Sequence, residues 1–288
     1  MRSMAARLGE WGFLLRYNPA LASRRLWARL RCLGPLPGAE GVLDLGGARL
    51  RVVFGDDPEM RRMWFGAYEL ETVELLRRFL RPGDTFIDAG ASIGYITAVA
   101  ASLVGPAGQV HSFEPVPALF ARLRETATLN PGLRIETVAA ALGRDPGTAA
   151  MDVTAAANIG WNTMVPGFMD PADRRERIEV PVVRLDAYLA GRGIRPVRMI
   201  KIDTEGYELP VLEGLEGYLD SSGDRPLILC EVAPAAYSHL GRSIEEFDTF
   251  VRRYGYAACH PAAPGRPLDV RRLTATANVL LLPEGRRG

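Results

Sequence analysis

Short apolar runs alternate with segments of helical spacing from about residue 69 onward. The apolar runs predict buried strands at Thr85–Ala89, Gln109–Phe113, Ile135–Ala141, Val180–Val183, Val197–Ile202, Leu227–Val232, Tyr256–His260 and Asn278–Leu282. The spacing between them predicts helices at Glu69–Leu80, Tyr95–Val104, Pro117–Asn130, Leu185–Leu189, Leu209–Leu219 and Ile244–Tyr254. Residues 143–178 follow neither pattern. Strands that alternate with helices are typical of an α/β fold in which helices cover both faces of a mostly parallel sheet.

The first 38 residues show a different pattern. Leucine and tryptophan recur there at helical spacing among arginines, and Asn18-Pro19 is expected to divide them into two helices. We therefore predict a basic helical extension and linker over residues 1–38 and the main domain over residues 39–288. The extension can be a membrane-surface or dimer contact, a lid, or an accessory element with a solvated basic face.

The composition limits the classes of function. The chain has 288 residues, of which 48% are hydrophobic and 24% charged, and this excludes a disordered, collagen-like or disulfide-based protein. The net charge of +1 argues against a nucleic-acid partner. The three cysteines have no C-x-x-C spacing, so we expect neither a disulfide framework nor a zinc site, and a reducing, cytoplasmic setting.

One window, Ile87–Gly105, is apolar enough to resemble a membrane span. It contains Asp88 and three glycines, however, so a buried strand, a turn and a buried helix explain it better.

A glycine-bearing loop, Asp88–Gly94, joins the first predicted strand of the alternating region to a helix. Gly90 allows a tight turn, and Gly94 allows the helix to pack closely against the strand. The pattern differs from the G-x-G-x-x-G of NAD-binding proteins, because Ser92 replaces the second glycine. A carboxylate at Asp88 would repel a pyrophosphate and suits a cofactor that carries an ammonium or a sulfonium.

The second strand ends at Glu114, which lies 24 residues after Gly90. An acid at the tip of this strand can accept hydrogen bonds from both hydroxyls of a ribose. Together, the loop and the acid indicate binding of S-adenosylmethionine.

The densest cluster of ionisable groups beside a predicted strand is Lys201–Glu208. Lys201 is the only lysine among 35 basic residues. Its retention can be chance, or it can reflect a chemical need for an ammonium rather than a guanidinium. Strand alternation places Lys201 and Asp203 on one face, and a buried ammonium needs a carboxylate partner, for which Asp203 is nearest in sequence. A buried ion pair and a helix cap would explain the same residues structurally.

These motifs resemble the FkbM-type methyltransferases. The resemblance extends over about residues 65–235 and is carried by Asp88–Gly94, Phe113-Glu114-Pro115, Asn130, Leu185-Asp186, Lys201–Glu208 and Val211–Gly214. It implies a class I, Rossmann-like fold with a seven-stranded sheet. It also implies S-adenosylmethionine-dependent O-methylation of a hydroxyl on a sugar, polyketide or other secondary metabolite. Ser92 is a departure, since the family more often has asparagine there.

The predicted cofactor-binding residues are Glu69, Asp88, Gly90, Ala91, Ser92, Gly94, Tyr95, Glu114, Pro115 and Ala141. Asp203 is the predicted general base, or an acid that orients the base, with Lys201 and Glu205 in support. No metal centre is indicated by the motifs, although Asp203 and Glu231 end adjacent strands and offer oxygen ligands to Mg²⁺. The predicted substrate residues are Asn158, Trp161, Asn162, Glu231 and His239.

Two alternatives remain open on the sequence alone. One is an NAD-dependent Rossmann oxidoreductase. The other is a catalytically silent cofactor-binding fold that is recruited to a membrane or a partner through the N-terminal helices.

Overall fold

The computed structural model describes residues 4–55, 58–154, 161–221, 223 and 225–285. Its helices are α1 (Met4–Tyr17), α2 (Pro19–Arg31), α3 (Pro58–Trp64), α4 (Leu70–Phe79), α5 (Tyr95–Val104), α6 (Pro117–Thr128), α7 (Leu185–Arg192), α8 (Glu208–Glu213), α9 (Glu216–Ser221), α10 (Pro234–His239) and α11 (Ile244–Arg253). Its strands are β1 (Glu40–Asp44), β2 (Arg49–Val53), β3 (Thr85–Ala89), β4 (Gln109–Phe113), β5 (Ile135–Val138), β6 (Ala141–Leu142), β7 (Gly147–Thr154), β8 (Arg174–Val183), β9 (Met199–Ile202), β10 (Leu227–Val232), β11 (Tyr256–His260), β12 (Ala263–Pro267) and β13 (Ala277–Pro283).

A central sheet of eight strands runs in the order β12-β11-β13-β10-β9-β3-β4-β5. The contiguous strands β10, β9, β3, β4 and β5 are parallel, and β13, β11 and β12 extend the sheet in antiparallel pairs. The mostly parallel α/β fold is thereby confirmed. The sheet has one strand more than predicted, because β12 pairs with the edge of β11. Its two prolines make it a poor strand by composition, and an edge position tolerates them.

The middle of the sheet is apolar on both faces. All five residues of β3 are buried, and neighbouring side chains face opposite ways: Phe86 joins the core that includes α4 and α5, whereas Ile87 joins the core that includes α7, α8 and α11. Helices on both faces bury each of these cores, which holds the parallel strands in place and directs their carboxyl ends to one edge.

A second, three-stranded sheet, in the order β6-β8-β7, corrects two expectations. Residues 143–178 contain a regular antiparallel pair, β7 with β8, rather than an irregular stretch. The predicted strand Val180–Val183 is the end of β8 and lies outside the central sheet. The first half of β8 is exposed and rich in charge, which hides its strand character in the sequence.

The predicted helix Leu209–Leu219 is interrupted at Gly214, where α8 ends. A Cβ at this position would lie 2.3 Å from the carbonyl oxygen of Gly143, so the close approach of the second sheet requires glycine. Two short helices, α3 and α10, were not predicted.

The N-terminal helices divide where predicted, at Asn18. Its side chain accepts a hydrogen bond from the Leu21 amide (3.0 Å) and donates one to the carbonyl of Ala262 (2.9 Å). Arg25 contacts both Glu10 and Glu71, and thus links α2 to α1 and α4. Within the described ranges, no helix is long and apolar enough to cross a membrane. The window Ile87–Gly105 consists of β3, a turn and α5.

Candidate active site

A cleft lies beyond the carboxyl ends of β3, β4 and β9. It is lined by Gly90, Ser92, Phe113, Glu114, Pro115, Leu119, Ala140, Ala141, Leu142, Met151, Asn162, Met164, Asp203, Thr204 and Glu205. Parallel sheets place ligands at this edge, where strand ends and loops converge. The cleft therefore brings together eight of the residues that the sequence indicated.

The loop after β3 is built from left-handed residues: Gly90 has φ 81°, Ser92 φ 49° and Gly94 φ 90°. A Cβ on Gly90 would lie 1.9 Å from the backbone carbonyl oxygen of Asp203, so only glycine allows the loops after β3 and β9 to touch. The amides of Gly90 and Ala91 donate to the Phe113 carbonyl, which ties the loop to β4. The close contact of two loops thus fixes the cleft floor.

Asp88 lies beneath this loop rather than in the cleft wall. It is fully buried, and burial raises the pKa of its carboxyl above the ordinary value, against the lowering effect of Lys201 and Thr97. Its Oδ2 accepts a hydrogen bond from Thr97 (2.6 Å), which also contacts Ser112 (2.8 Å). Within the described residues Oδ1 has no partner. A buried acceptor without a partner is expected to receive a donor when a ligand binds.

Glu114 lines the cleft and holds the loop that faces it. Its two oxygens accept hydrogen bonds from the amides of Ser92 and Val116, both at 2.9 Å. Burial raises the pKa of Glu114 to about 7, and the two amides partly oppose this rise. Each carboxylate oxygen retains a second lone pair, so the hydrogen bonds do not prevent contact with a ribose.

The lysine ammonium lies under the cleft and forms the expected ion pair. Lys201 is 6% exposed, and its Nζ donates to Oδ2 of Asp203 at 2.9 Å. Burial lowers the pKa of Lys201, but the carboxylates of Asp203, Asp88 and Glu69 raise it further, so it stays above the ordinary value. Lys201 lies opposite Asp88 in the register of β9 and β3. The ammonium is therefore the shared counter-charge of several carboxylates.

Three carboxylates form a cluster at the cleft edge. Oxygens of Asp203, Glu205 and Glu231 lie within 4.8 Å of one another. Burial, followed by the charges of Asp203 and Glu208, raises the pKa of Glu205 to about 9. Burial, followed by the charges of Asp203 and Glu205, raises the pKa of Glu231 to about 10. The upward shifts favour the protonated form of both glutamates, which can donate hydrogen bonds, whereas the ionised cluster would offer oxygen ligands to a cation.

The structural role of Glu208 could not be inferred from the sequence. It is fully buried, and its Oε1 accepts from the Gly206 amide (2.8 Å) and from the amide and hydroxyl of Thr204 (both 3.3 Å). It therefore shapes the loop that carries Glu205, whose φ is 51°. Spacing suggested a helix cap, and the structure shows that the carboxylate instead closes the turn before α8.

Only some of the predicted substrate residues lie at the cleft. Asn162 lines the cleft, and the neighbouring Thr163 donates to the carbonyl of Glu205 at 2.7 Å. Trp161 and His239 are not part of the cleft lining, and their rings lie next to Phe168, with ring centroids 6.5 and 6.0 Å from it. His239 is exposed and is the last residue of α10. Asn158 falls outside the described residues.

Glu69 and Tyr95 also lie outside the cleft lining. Glu69 precedes α4 with φ 47° and accepts a hydrogen bond from Thr72. Burial and the charge of Asp203 raise the pKa of Glu69. The carboxyl of Glu69 therefore interacts electrostatically with the acidic cluster. Tyr95 packs edge-on against Tyr68, with centroids 5.3 Å apart. The binding roles of these residues stay predictions.

Comparison with known proteins shows which family the chain resembles. The profile of the methyltransferase FkbM domain matches residues 88–258, which include the glycine loop, Glu114 and the acidic cluster. The 31-O-demethyl-FK506 methyltransferase FkbM of Streptomyces tacrolimicus is 35% identical over 160 residues, covering 48% of this chain and 61% of that protein. A protein-L-isoaspartate O-methyltransferase of Ignicoccus hospitalis is 44% identical over 59 residues, covering 20% and 26%. The chain spans less than two thirds of the length of these curated relatives.

Among solved structures, a putative rRNA methylase from Clostridium thermocellum aligns with a TM-score of 0.42 and 14% identity, over 73% of this chain and 91% of that one. The FkbM profile itself covers more than half of the chain. The resemblance found in the motifs is thereby confirmed, and the protein belongs to the FkbM family of S-adenosylmethionine-dependent methyltransferases.

Proposed function

We propose that this protein methylates a hydroxyl group of a small-molecule metabolite, such as a sugar, a polyketide or another secondary metabolite, and releases an O-methyl ether. The observation that carries the proposal is the Lys201–Asp203 pair at the cleft floor, against the glycine loop. It supplies an acceptor for a hydroxyl proton beside the predicted cofactor site. The name of the Streptomyces tacrolimicus relative, a 31-O-demethyl-FK506 methyltransferase, supports an oxygen acceptor.

The described residues fit S-adenosylmethionine. The buried Asp88 carboxylate, with one oxygen that has no partner among the described residues, suits the charged methionine end, Glu114 suits the ribose, and Ala141 lies where an adenine can contact the cleft wall. When bound, the cofactor supplies an electrophilic methyl group on a positively charged sulfur. The task that is left to the protein is to orient a hydroxyl and to accept its proton.

Asp203 is placed to accept this proton. Its Oδ2 is occupied by Lys201, whereas Oδ1 accepts no hydrogen bond within the described part of the chain. The raised pKa of Lys201 keeps the ammonium protonated next to the carboxylate. Oδ1 is therefore the atom that would accept the proton as the hydroxyl oxygen forms its bond to the methyl carbon.

Glu205 and Glu231 would orient the acceptor. Burial and the neighbouring carboxylates raise the pKa of both glutamates, which favours the protonated form that can donate hydrogen bonds to oxygens of the acceptor. Deprotonation would instead make the cluster a ligand set for Mg²⁺, which would then activate the hydroxyl. The effect of a chelator separates the two mechanisms, because proton acceptance by Asp203 alone does not require a cation.

The test is methyl transfer from tritiated S-adenosylmethionine to a panel of hydroxylated sugars and polyketides that includes 31-O-demethyl-FK506. We expect label in an O-methyl product, with turnover unchanged by EDTA. A calorimetric titration should show binding of S-adenosylmethionine and none of NAD. Cofactor binding without transfer to any oxygen acceptor would favour the catalytically silent fold, and NAD binding would favour an oxidoreductase. Label found only on nitrogen or carbon would overturn the proposal.

A further inference from the structure

Exposed apolar side chains are concentrated on the N-terminal helices. Among the described residues, seven large hydrophobic side chains are exposed, and five of these lie between residues 15 and 33. They are Leu15 (62%), Leu26 (52%), Trp27 (64%), Leu30 (49%) and Leu33 (81%). Single exposed leucines are ordinary on protein surfaces, but a contiguous group indicates an interaction site.

Four of these five side chains, all except Leu15 of α1, form the outer face of α2 and of the residues just after it. Leu26 and Leu30 are four residues apart and Leu33 follows just beyond the helix, so they lie along one side, with Trp27 beside them. The inner side is already used, because Leu21 and Ala28 are buried. The helix is thus apolar on two sides, and packing of α2 against its own domain explains only the inner one. We call Leu26, Trp27, Leu30 and Leu33 the outer face.

Positive charge flanks the outer face. Arg29 and Arg31 are exposed and, within the described ranges, have no acidic partner, in contrast to Arg24 and Arg25, which pair with Glu74 and with Glu10 and Glu71. The first 38 residues contain seven arginines and one glutamate, whereas the rest of the chain contains 28 basic and 33 acidic residues. The net charge of the whole chain is therefore close to zero because a positively charged extension and a negatively charged domain nearly cancel.

We propose that the outer face binds the surface of a membrane that contains anionic phospholipids. Leucines and a tryptophan flanked by arginines suit the boundary between acyl chains and anionic headgroups. A second copy of the chain suits the face less well, because a two-fold interface would bring the same arginines against one another. The attachment is peripheral, and it does not depend on the methyl-transfer chemistry.

The experiment is flotation of the full chain with vesicles of phosphatidylcholine alone or with 30% phosphatidylglycerol. We expect the wild type to bind the anionic vesicles, and at least fivefold less tightly when phosphatidylglycerol is omitted or salt is raised to 0.5 M. The triple variant Leu26→Ser/Trp27→Ser/Leu30→Ser should bind at least tenfold less tightly. The variant Arg29→Gln/Arg31→Gln should bind anionic vesicles less tightly by a similar factor, while its binding to phosphatidylcholine vesicles should not change.

The matched control is Val42→Ser/Val53→Ser, which removes the other two large hydrophobic side chains that are exposed among the described residues. It should bind vesicles within twofold of the wild type. All these side chains are exposed, so thermal unfolding should stay close to that of the wild type and show that each variant folds. Absence of wild-type binding, or equal binding by the triple variant, would overturn the proposal. The proposal would also be overturned if light scattering showed that the wild type is a dimer and that the triple variant is a monomer.

Discussion

The cleft and the N-terminal extension place their side chains in opposite ways. The cleft buries charge: Lys201 is 6% exposed and lies among carboxylates. The extension exposes apolar groups: Trp27 is 64% exposed and Leu33 81%. Each arrangement costs free energy in the isolated protein, the first through desolvation and the second through apolar surface in water. The difference teaches that the cleft must balance its charges internally, whereas the extension would gain stability from the membrane surface that we propose as its partner.

The largest effect is expected from removing the buried cation. Lys201→Met should lower the free energy of unfolding by about 3–5 kcal/mol, because Asp88 and Asp203 would lose a shared, buried counter-charge. The matched change on the extension is Arg24→Met, which breaks an exposed pair with Glu74 and should cost less than about 1 kcal/mol. Urea denaturation measures both values. If both variants lost the same free energy of unfolding, the proposed difference between the buried cation and the exposed one would be wrong.

A smaller effect is expected at the contact between the two loops. Gly90→Ala should weaken S-adenosylmethionine binding at least tenfold, since its Cβ would overlap the Asp203 carbonyl oxygen. The control is Gly105→Ala, which has a similar left-handed φ of 64° but open space around the added Cβ. That variant should lose about 1 kcal/mol of stability through backbone strain. Calorimetry should find its affinity unchanged, and a matching loss in both variants would exclude the loop contact as the cause.

The smallest effect concerns the protonated glutamate. The pKa of Glu205 is about 9 in the fold against an ordinary 4.5, so the folded protein loses stability as pH rises from about 5 to 9. Glu205→Gln cannot ionise and should therefore unfold at a higher temperature than the wild type, by about 2–4 °C at pH 9. The gain should shrink toward pH 5. Thermal melts across this range measure it, with the exposed Glu136→Gln as a control that should show no such trend.

Much of the fold could be predicted because its signal is local. The strands β3, β4 and β10 are buried apolar runs, and their predicted bounds agree with the structure. The strands β7 and β8 could not be predicted in the same way, because charged and exposed residues make up half of β8. Their pairing depends on contacts between distant segments, which periodicity does not report.

In the candidate site, too, local features could be predicted from the sequence, whereas contacts between distant segments could not. The partnership of Lys201 with Asp203 follows from strand alternation, since a buried ammonium needs a nearby carboxylate. The bond from Ser92 to Glu114 and the closure of the turn by Glu208 depend on how separate loops meet. Such contacts are tertiary, and spacing along the chain contains no direct record of them.

The central claim is that Asp203 accepts the proton of the acceptor hydroxyl, and the most direct measurement compares Asp203→Asn with the wild type. The amide keeps the shape of the carboxylate but cannot accept the proton. Single-turnover transfer of labelled methyl to an acceptor from the panel should fall by a factor of about 10²–10⁴, whereas the dissociation constant for S-adenosylmethionine should stay within about threefold. Transfer at a rate within threefold of the wild type would contradict the account.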